Sequence, residues 1–507
     1  MSSKVNNLFI FCIGGTGSRV LRALTFLLAA GVRINANRVI PIVLDPDREN
    51  GDMNRTMEIL RKYQEVRKKL EFANNRFFQT DIQTLASLDA TDNKTHLQIT
   101  DDFRYDIDGT KQGKFADFLE VNQMDRANQA LVRALFSQDN LDADLEVGFK
   151  GNPHMGSVVL NQFKESDEFK FFASRVNDGD RIFVVSSIFG GTGAAGFPLL
   201  VKNIRDAKEP IPNNERLKNL PIGAVTVLPY FGVEPDPNIT VDKNTFISKA
   251  KAALAYYEQH LSGNKSLNAL YYLGDRVTTD VTPNEGGKGQ ANNAHYIELL
   301  SALSIIDYAG IEDSKLQCKR GRAERPIFKE YGLVRTQNQG HQINFNNLGK
   351  TSRNRVSQSL TQYAYAVNYW INNFETAVGN REKQVYTSDG LAEAFLSSSF
   401  FREDLSVFND RFVEWLREMQ HNHRSFYALE PNVEEQYLHT MVQGITQAKV
   451  GSFINKKVEW DYADYDHELN KAYKKMPDLP PEQKLMALFY KATGAIYKQR
   501  IKEQLMA

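Results

Sequence analysis

Residues 180–198 read DRIFVVSSIFGGTGAAGFP, an apolar β-rich run that stops at a glycine cluster and continues into small residues. Ile182–Val185 has the unbroken apolar character of a parallel strand covered by helices on both faces. The cluster that follows, Gly190-Gly191-Thr192-Gly193-Ala194, lets the backbone come close to a ligand. Its free N–H groups and the positive end of the next helix favour an anion. The same junction occurs near the start of the chain, where Leu8–Ile13 runs into Gly14-Gly15-Thr16-Gly17-Ser18. Directly after it, Val20, Leu21, Leu24, Leu27 and Leu28 form one apolar helical stripe. Thr16, Ser18 and Thr192 add hydroxyl donors. Both loops fall at carboxyl ends of predicted strands, where open α/β sheets collect ligands, so together they predict one polyphosphate gripped from two sides.

Further strands are predicted at Val39–Leu44, Ile222–Val227 and Ala269–Leu273, and a second helical stripe at Phe246, Ile247, Ala250, Ala253, Leu254 and Tyr257. The alternation of strands and helices implies an α/β fold with a mostly parallel sheet. From about Thr351 strands fade and long amphipathic segments take over, among them Arg353–Phe374, Glu403–Met419 and Glu482–Leu505. The expected organisation is therefore a nucleotide-binding domain over residues 1–310 and a mainly helical domain over 311–507.

The chain has 507 residues, with 62 Lys+Arg against 62 Asp+Glu. Such a length supports two or three domains, and zero formal charge gives no global field toward nucleic acid or an anionic membrane. Two cysteines, Cys12 and Cys318, cannot build a disulfide framework or a four-thiolate zinc site, and they suit a reducing cytoplasm. The N-terminal apolar run reads as a buried strand, and no stretch is long enough to span a bilayer. The basic stretch Lys315–Arg325 lacks an aromatic stacking platform, so no clear nucleic-acid site is expected. Residues 282–290, TPNEGGKGQ, contain Gly-Lys but not the Walker spacing. A dinucleotide-binding Rossmann domain competes for the first loop. It would need a third glycine where Val20 stands and a ribose-binding acid nearer than Asp45.

Gly190-Gly191-Thr192-Gly193, with Pro198 in the following helix, resembles the glycine-rich signature of the tubulin/FtsZ superfamily of GTPases, divergent and bacterial in type. Other landmarks follow in order over residues 8–308. Gly14 to Ser18 looks like the family's first phosphate loop, and Asp45 its acidic loop near phosphates and magnesium, although Asp45 also reads as a cap ahead of Pro46. Gly151-Asn152-Pro153 is similar to the loop that senses the third phosphate. Gly274 and Asp275 stand where the family reads the base with asparagine, and Asp275 could accept from guanine N1–H and N2–H. Asn292 and Asn293 lie at the start of the family's central helix as base-reading candidates, and each also reads as a cap or a solvated first turn. His295 and Glu298, one turn apart, read as a buried polar pair rather than a metal site.

The resemblance implies a cytoplasmic protein that holds GTP or GDP with Mg2+. Its activating acid would come from a neighbouring copy, with Glu312 and Asp313 as the catalytic candidates, and hydrolysis would depend on a filament or oligomer. Phosphoryl transfer asks such residues for positioning and electrostatics rather than a covalent nucleophile. Two alternatives stand beside it. One is a non-hydrolysing scaffold whose helical C-terminal half recruits protein partners. The other is an NAD(P)-binding oxidoreductase.

Overall fold

The computed structural model describes residues 4–70, 77–89, 99–105, 113–149, 152–233, 243–275, 280–281, 287–330, 342–388, 390–445 and 460–506. Seven strands make its main sheet. They are β1 (Val5–Ile13), β2 (Ala36–Leu44), β3 (Asp81–Ile82), β4 (Arg181–Ser187), β5 (Ile222–Val227), β6 (Ala269–Leu273) and β7 (Ile327–Glu330). Their order is β7-β6-β5-β4-β1-β2-β3, and every neighbouring pair is parallel. All residues of β4 and β5 are buried, as continuous apolar runs between two helical layers require. The five strands expected from the sequence are all present. The sheet also extends past residue 310, since its edge strand β7 lies at 327–330.

The strand order reverses between β1 and β4, which are hydrogen-bonded neighbours. This is the switch point where connections leave in opposite directions and open a crevice at the carboxyl edge. Helix α1 (Gly14–Ala29) starts directly at the end of β1, and α4 (Gly191–Arg205) starts three residues after β4. Helices α2 (Gly51–Leu70) and α3 (Pro153–Leu160) lie between them in sequence. Helix α5 (Lys243–Tyr257) buries Ala250 and Tyr257 but leaves Ile247 exposed, so the expected stripe covers less than predicted. Helix α6 (Tyr296–Ala309) crosses the sheet from the carboxyl edge to the amino edge and is buried almost all round.

The later chain supplies α7 (Lys350–Asn372), α8 (Ser406–Gln420), α9 (Tyr462–Tyr473) and α10 (Pro481–Ile496). These helices share a core with the α/β part. Phe26 of α1 packs on Phe408, Phe412 and Trp415 of α8 at centroid distances of 5.4, 5.7 and 5.2 Å. Such pairs add directional aromatic contact to the burial itself. Among the described residues no helix is long and apolar enough to cross a membrane.

Candidate functional site

The two glycine loops meet. A methyl group built on Gly14 would lie 3.5 Å from the Thr192 Cβ and 3.8 Å from the Gly193 nitrogen. Gly14 has φ +71°, a conformation that only glycine adopts without strain. Neither helix that begins here is capped: the residues before them, Ile13 and Gly190, make no side-chain cap hydrogen bond, and neither first turn carries an acid. Their leading N–H groups therefore remain as anion donors.

Within each loop the glycines divide by task. A Cβ on Gly17 would sit 2.6 Å from the Cys12 carbonyl carbon, and one on Gly193 2.7 Å from the Ser187 oxygen. Those two allow helix and strand to touch. Gly15 faces side chains instead, with its built Cβ 3.6 Å from Asn50 Nδ2 and 3.9 Å from Gln290 Nε2. Thr192 and Ala194 are partly exposed at the rim, Thr16 is nearly covered, and Ser18 is fully buried.

Asp45 follows β2, whose Leu44 is in register with Ile13, so its backbone stands beside that of Gly14. It is buried, and its hydrogen bond comes from the Asp47 amide at 3.2 Å. Burial pushes its pKa up to about 7, with Asp47 as a nearby like charge. Among the described residues no cationic side chain bonds it. A buried carboxyl of this kind fits a divalent ion that takes its remaining ligands from phosphates and water, as magnesium does. No group of three or more acidic, histidine or cysteine residues among the described residues forms a metal cage.

The chain also brings two amides to the first loop. Asn50 Nδ2 donates to Gln290 Oε1 at 2.8 Å, while Asn50 Oδ1 accepts from the Met53 amide at the start of α2. Gln290 is held by its backbone as well. Its carbonyl accepts from Asp52 N at 3.0 Å, and Gly287 N donates to Asp47 at 2.7 Å. Gly51 makes that approach possible, because a Cβ there would stand 2.7 Å from the Lys288 oxygen.

Beyond the loops lies a buried ionic network. Arg19, Arg22 and Arg55 face Asp52, Glu298 and Glu418: Arg19 reaches Glu298 at 2.7 Å and Asp52 at 3.2 Å, Arg22 reaches Glu418 at 2.9 Å, and Arg55 reaches both Asp52 and Glu418 at 2.6 Å. Three charges of each sign cancel. Burial alone would raise the Asp52 pKa, but the three guanidinium groups hold it below its ordinary value. Glu418 comes from α8 and also accepts from Ala294 N at 2.8 Å, while Asn422 donates to Ala294 O at 2.7 Å. One stretch of the helical region thus grips both polar groups of a single residue ahead of α6.

The residues expected near the base have partners inside the chain. Asn292 Nδ2 donates to Asp52 at 3.1 Å, Asp275 pairs with Arg424, and Asn293 is exposed. His295 and Glu298 form a capping box for α6, with Ile297 N donating to His295 Nδ1 at 3.1 Å and His295 N to Glu298 at 3.2 Å. Burial, aided by Arg19 and Arg424, lowers the His295 pKa to about 3, so the ring is neutral. This is the polar pair expected from the sequence.

Gly151 lies outside the described residues, as does part of the 282–290 loop. The Asn152 side chain caps α3 by accepting from His154 N and Met155 N. That helix rests on the second loop, where a Cβ on Gly156 would be 3.1 Å from the Gly191 oxygen. Glu312 and Asp313 follow the far end of α6 at the amino edge, where Asp313 pairs with Arg181 at 2.5 Å. Helix α6 has 14 residues, which at about 1.5 Å each separate them from the loops of their own chain by roughly 20 Å. Asn50, Glu418, Asn422 and Arg424 gave no sequence signal, and Gln290 stood out only as the end of the glycine-rich 282–290 stretch.

No known protein family model matches the chain, and no curated protein matches it. Solved structures with similarity include CetZ from Methanosaeta thermophila, at 15% identity and TM-score 0.26, covering 53% of this chain and 46% of that one. CetZ2 from Haloferax volcanii, solved as a GTPγS-bound protofilament, gives 11% and 0.28 over 61% and 60%. TubZ from Bacillus thuringiensis serovar israelensis, a GTPγS-form protofilament, gives 12% and 0.27 over 70% and 69%. The chain spans about half the length of the first of these, and all three superpose loosely.

Proposed function

We propose that this chain is a divergent tubulin-like protein that binds GTP or GDP with Mg2+ at the carboxyl edge of its sheet. The observation that carries the reading is the contact of two uncapped helix starts, Gly14 against Thr192 and Gly193, at the switch between β1 and β4. The backbone N–H groups of residues 14–17 and 190–193 bind the phosphates, the Ala194 N–H being already donated to the Gly190 carbonyl at 3.2 Å. Gln290, braced by Asn50, adds an amide over Gly15. Asp45 holds the magnesium ion, which when bound neutralises phosphate charge. Asn152, which caps α3 beside the second loop, leads toward the terminal phosphate. The nucleoside runs along the edge toward Asp275, Asn292 and Asn293.

Hydrolysis, in this reading, needs a second copy. Glu312 and Asp313 stand at the edge opposite the loops, so a filament or oligomer stacked edge to edge brings them to a neighbour's phosphates, where they position water. Two free thiols, Cys12 and Cys318, support a reducing cytoplasmic setting. A second reading, a nucleotide-bound scaffold recruiting protein partners through its helical half, is favoured by the grip of Glu418 and Asn422 on Ala294, which ties that half to the site.

Phosphate release measured across a protein concentration series separates the two. Specific activity that climbs steeply with concentration supports assembly-coupled hydrolysis, and tight GTP retention without release supports the scaffold. Titration with GTP and NADH is the prior test: NADH binding in place of GTP would remove both.

A further inference from the structure

Two residues beyond the end of β6, Asp275 lies at the same edge as the glycine loops. Its strand is two places from β4, and strands are about 4.8 Å apart, so it is about 10 Å along the edge from the second loop. That is the order of distance a nucleoside covers from its phosphates. The segments that leave β4 and β5 at this edge carry Phe189, Tyr230 and Phe231, whose rings pack together, Phe189 to Phe231 at 5.5 Å and Tyr230 to Phe231 at 4.9 Å. An apolar floor ending in a few fixed polar groups is the usual form of a small-molecule site.

The polar group presented at the end of this floor is not the carboxylate. The Asp275 side chain is 5% exposed and paired with Arg424, whose side chain is 21% exposed. Arg424 is also braced by the Tyr296 ring, 5.5 Å away, and by its neighbour Asn422 on the Ala294 carbonyl. A guanidinium has five N–H donors in a flat fork, and the bond to Asp275 comes from Nη1. The other donors form an edge that matches two acceptors side by side.

We propose that Arg424, supplied by the helical half of the chain, selects the base: its guanidinium donates to the O6 and N7 acceptors of guanine. Adenine places an amino donor where guanine has O6, so the same fork repels it. Asp275, neutralised by Arg424, holds the fork in place and does not accept from guanine N1–H and N2–H. This inference rests on the nucleotide reading above, and it moves selectivity from the α/β domain to a residue 149 positions away from Asp275.

Calorimetric competition on the full chain with Mg2+ tests it, using GTP, ITP, 7-deaza-GTP, ATP and inorganic tripolyphosphate. ITP keeps O6 and N7 and lacks only the 2-amino group, so GTP and ITP should bind within about three-fold of each other. 7-deaza-GTP and ATP should each bind about ten-fold more weakly or worse. Arg424→Gln should bring GTP and ATP within about three-fold while leaving tripolyphosphate affinity unchanged. Arg424→Lys, which keeps a cation on Asp275 but lacks the fork, should lose the preference for GTP over 7-deaza-GTP. Retained GTP preference in both variants overturns the proposal, as does ITP binding as weakly as ATP, which would return the role to Asp275. If tripolyphosphate binds and no nucleotide is preferred, base selection by Arg424 fails and phosphate binding stands. If nothing binds, the nucleotide reading itself fails.

Discussion

At the amino edge of the sheet, Arg181 donates to the carbonyls of Tyr308 and Ile311 and pairs with Asp313, while Arg205 donates to the carbonyls of Ser266, Lys218 and Leu220 and to Asn268. At the carboxyl edge, the starts of α1 and α4 have no caps, and Asp45 has no cationic partner among the described residues. A cavity of ≈ 520 Å³ opens at the amino edge, lined by Asp180, Arg181, Arg216, Asp313 and Cys318 among others. Space alone would direct attention there. Its buried cations, however, are matched within the chain, whereas the leading N–H groups of α1 and α4 have neither a side-chain cap nor an acid in the first turn. A binding edge is recognised by what it leaves unpaired, since buried polar groups are otherwise satisfied.

The comparison can be broken most severely at Glu418, the acid that closes the carboxyl-edge network. Glu418→Ala leaves Arg22 and Arg55 short of a partner in a buried setting and should cost about 3–5 kcal/mol in denaturant unfolding. Arg216→Ala at the amino edge, whose partner Asp178 has its side chain 88% exposed, should leave the midpoint unchanged. A network change no larger than the surface change would mean that the helical half is not fastened through Glu418.

Smaller effects separate the glycines. Gly17→Ala forces a Cβ against the Cys12 backbone and should destabilise the fold by about 1–3 kcal/mol. Gly15→Ala meets only ordinary contacts, so stability should hold while GTP affinity falls about ten-fold, the size of one charge-assisted hydrogen bond. Equal stability losses in the two variants would erase the division between packing and ligand glycines.

A pH slope of similar size to the Gly15 effect is expected as well. Asp45 has an ordinary value of 3.8 and is raised to about 7 in the fold, so its protonated form favours the folded apo protein. That contribution is complete below the unfolded value and is lost as pH rises toward 7. Magnesium needs the carboxylate, so Mg2+-dependent GTP affinity should rise about ten-fold from pH 6 to pH 8. Asp45→Asn should flatten the slope. An unchanged slope would place the ion elsewhere.

The five inner strands and both loops were legible because buried parallel strands leave continuous apolar runs and glycine marks where backbone must approach closely. Asp81–Ile82 was not, being only two residues in a charged stretch, and Ile327–Glu330 is a four-residue edge strand, two apolar residues followed by two charged ones. Within the site, the resemblance pointed to Asp45, Asp275 and Asn292 as candidates but could not show their partners. The Asn50–Gln290 bond spans 240 positions and the Arg22–Glu418 pair 396, and no local pattern encodes such contacts. The helical half looked separable for the same reason, since its apolar stripes do not reveal that Phe26 lies beneath them.

Hydrogen–deuterium exchange of the full chain, with and without saturating GTP and Mg2+, addresses the shared grip directly. At a protein concentration held below assembly, amides of residues 14–17 and 190–193 should slow together on addition of nucleotide, while those around Arg181 and Asp313 stay as they were. Protection of one loop without the other, or protection confined to the amino edge, would contradict a triphosphate held between them.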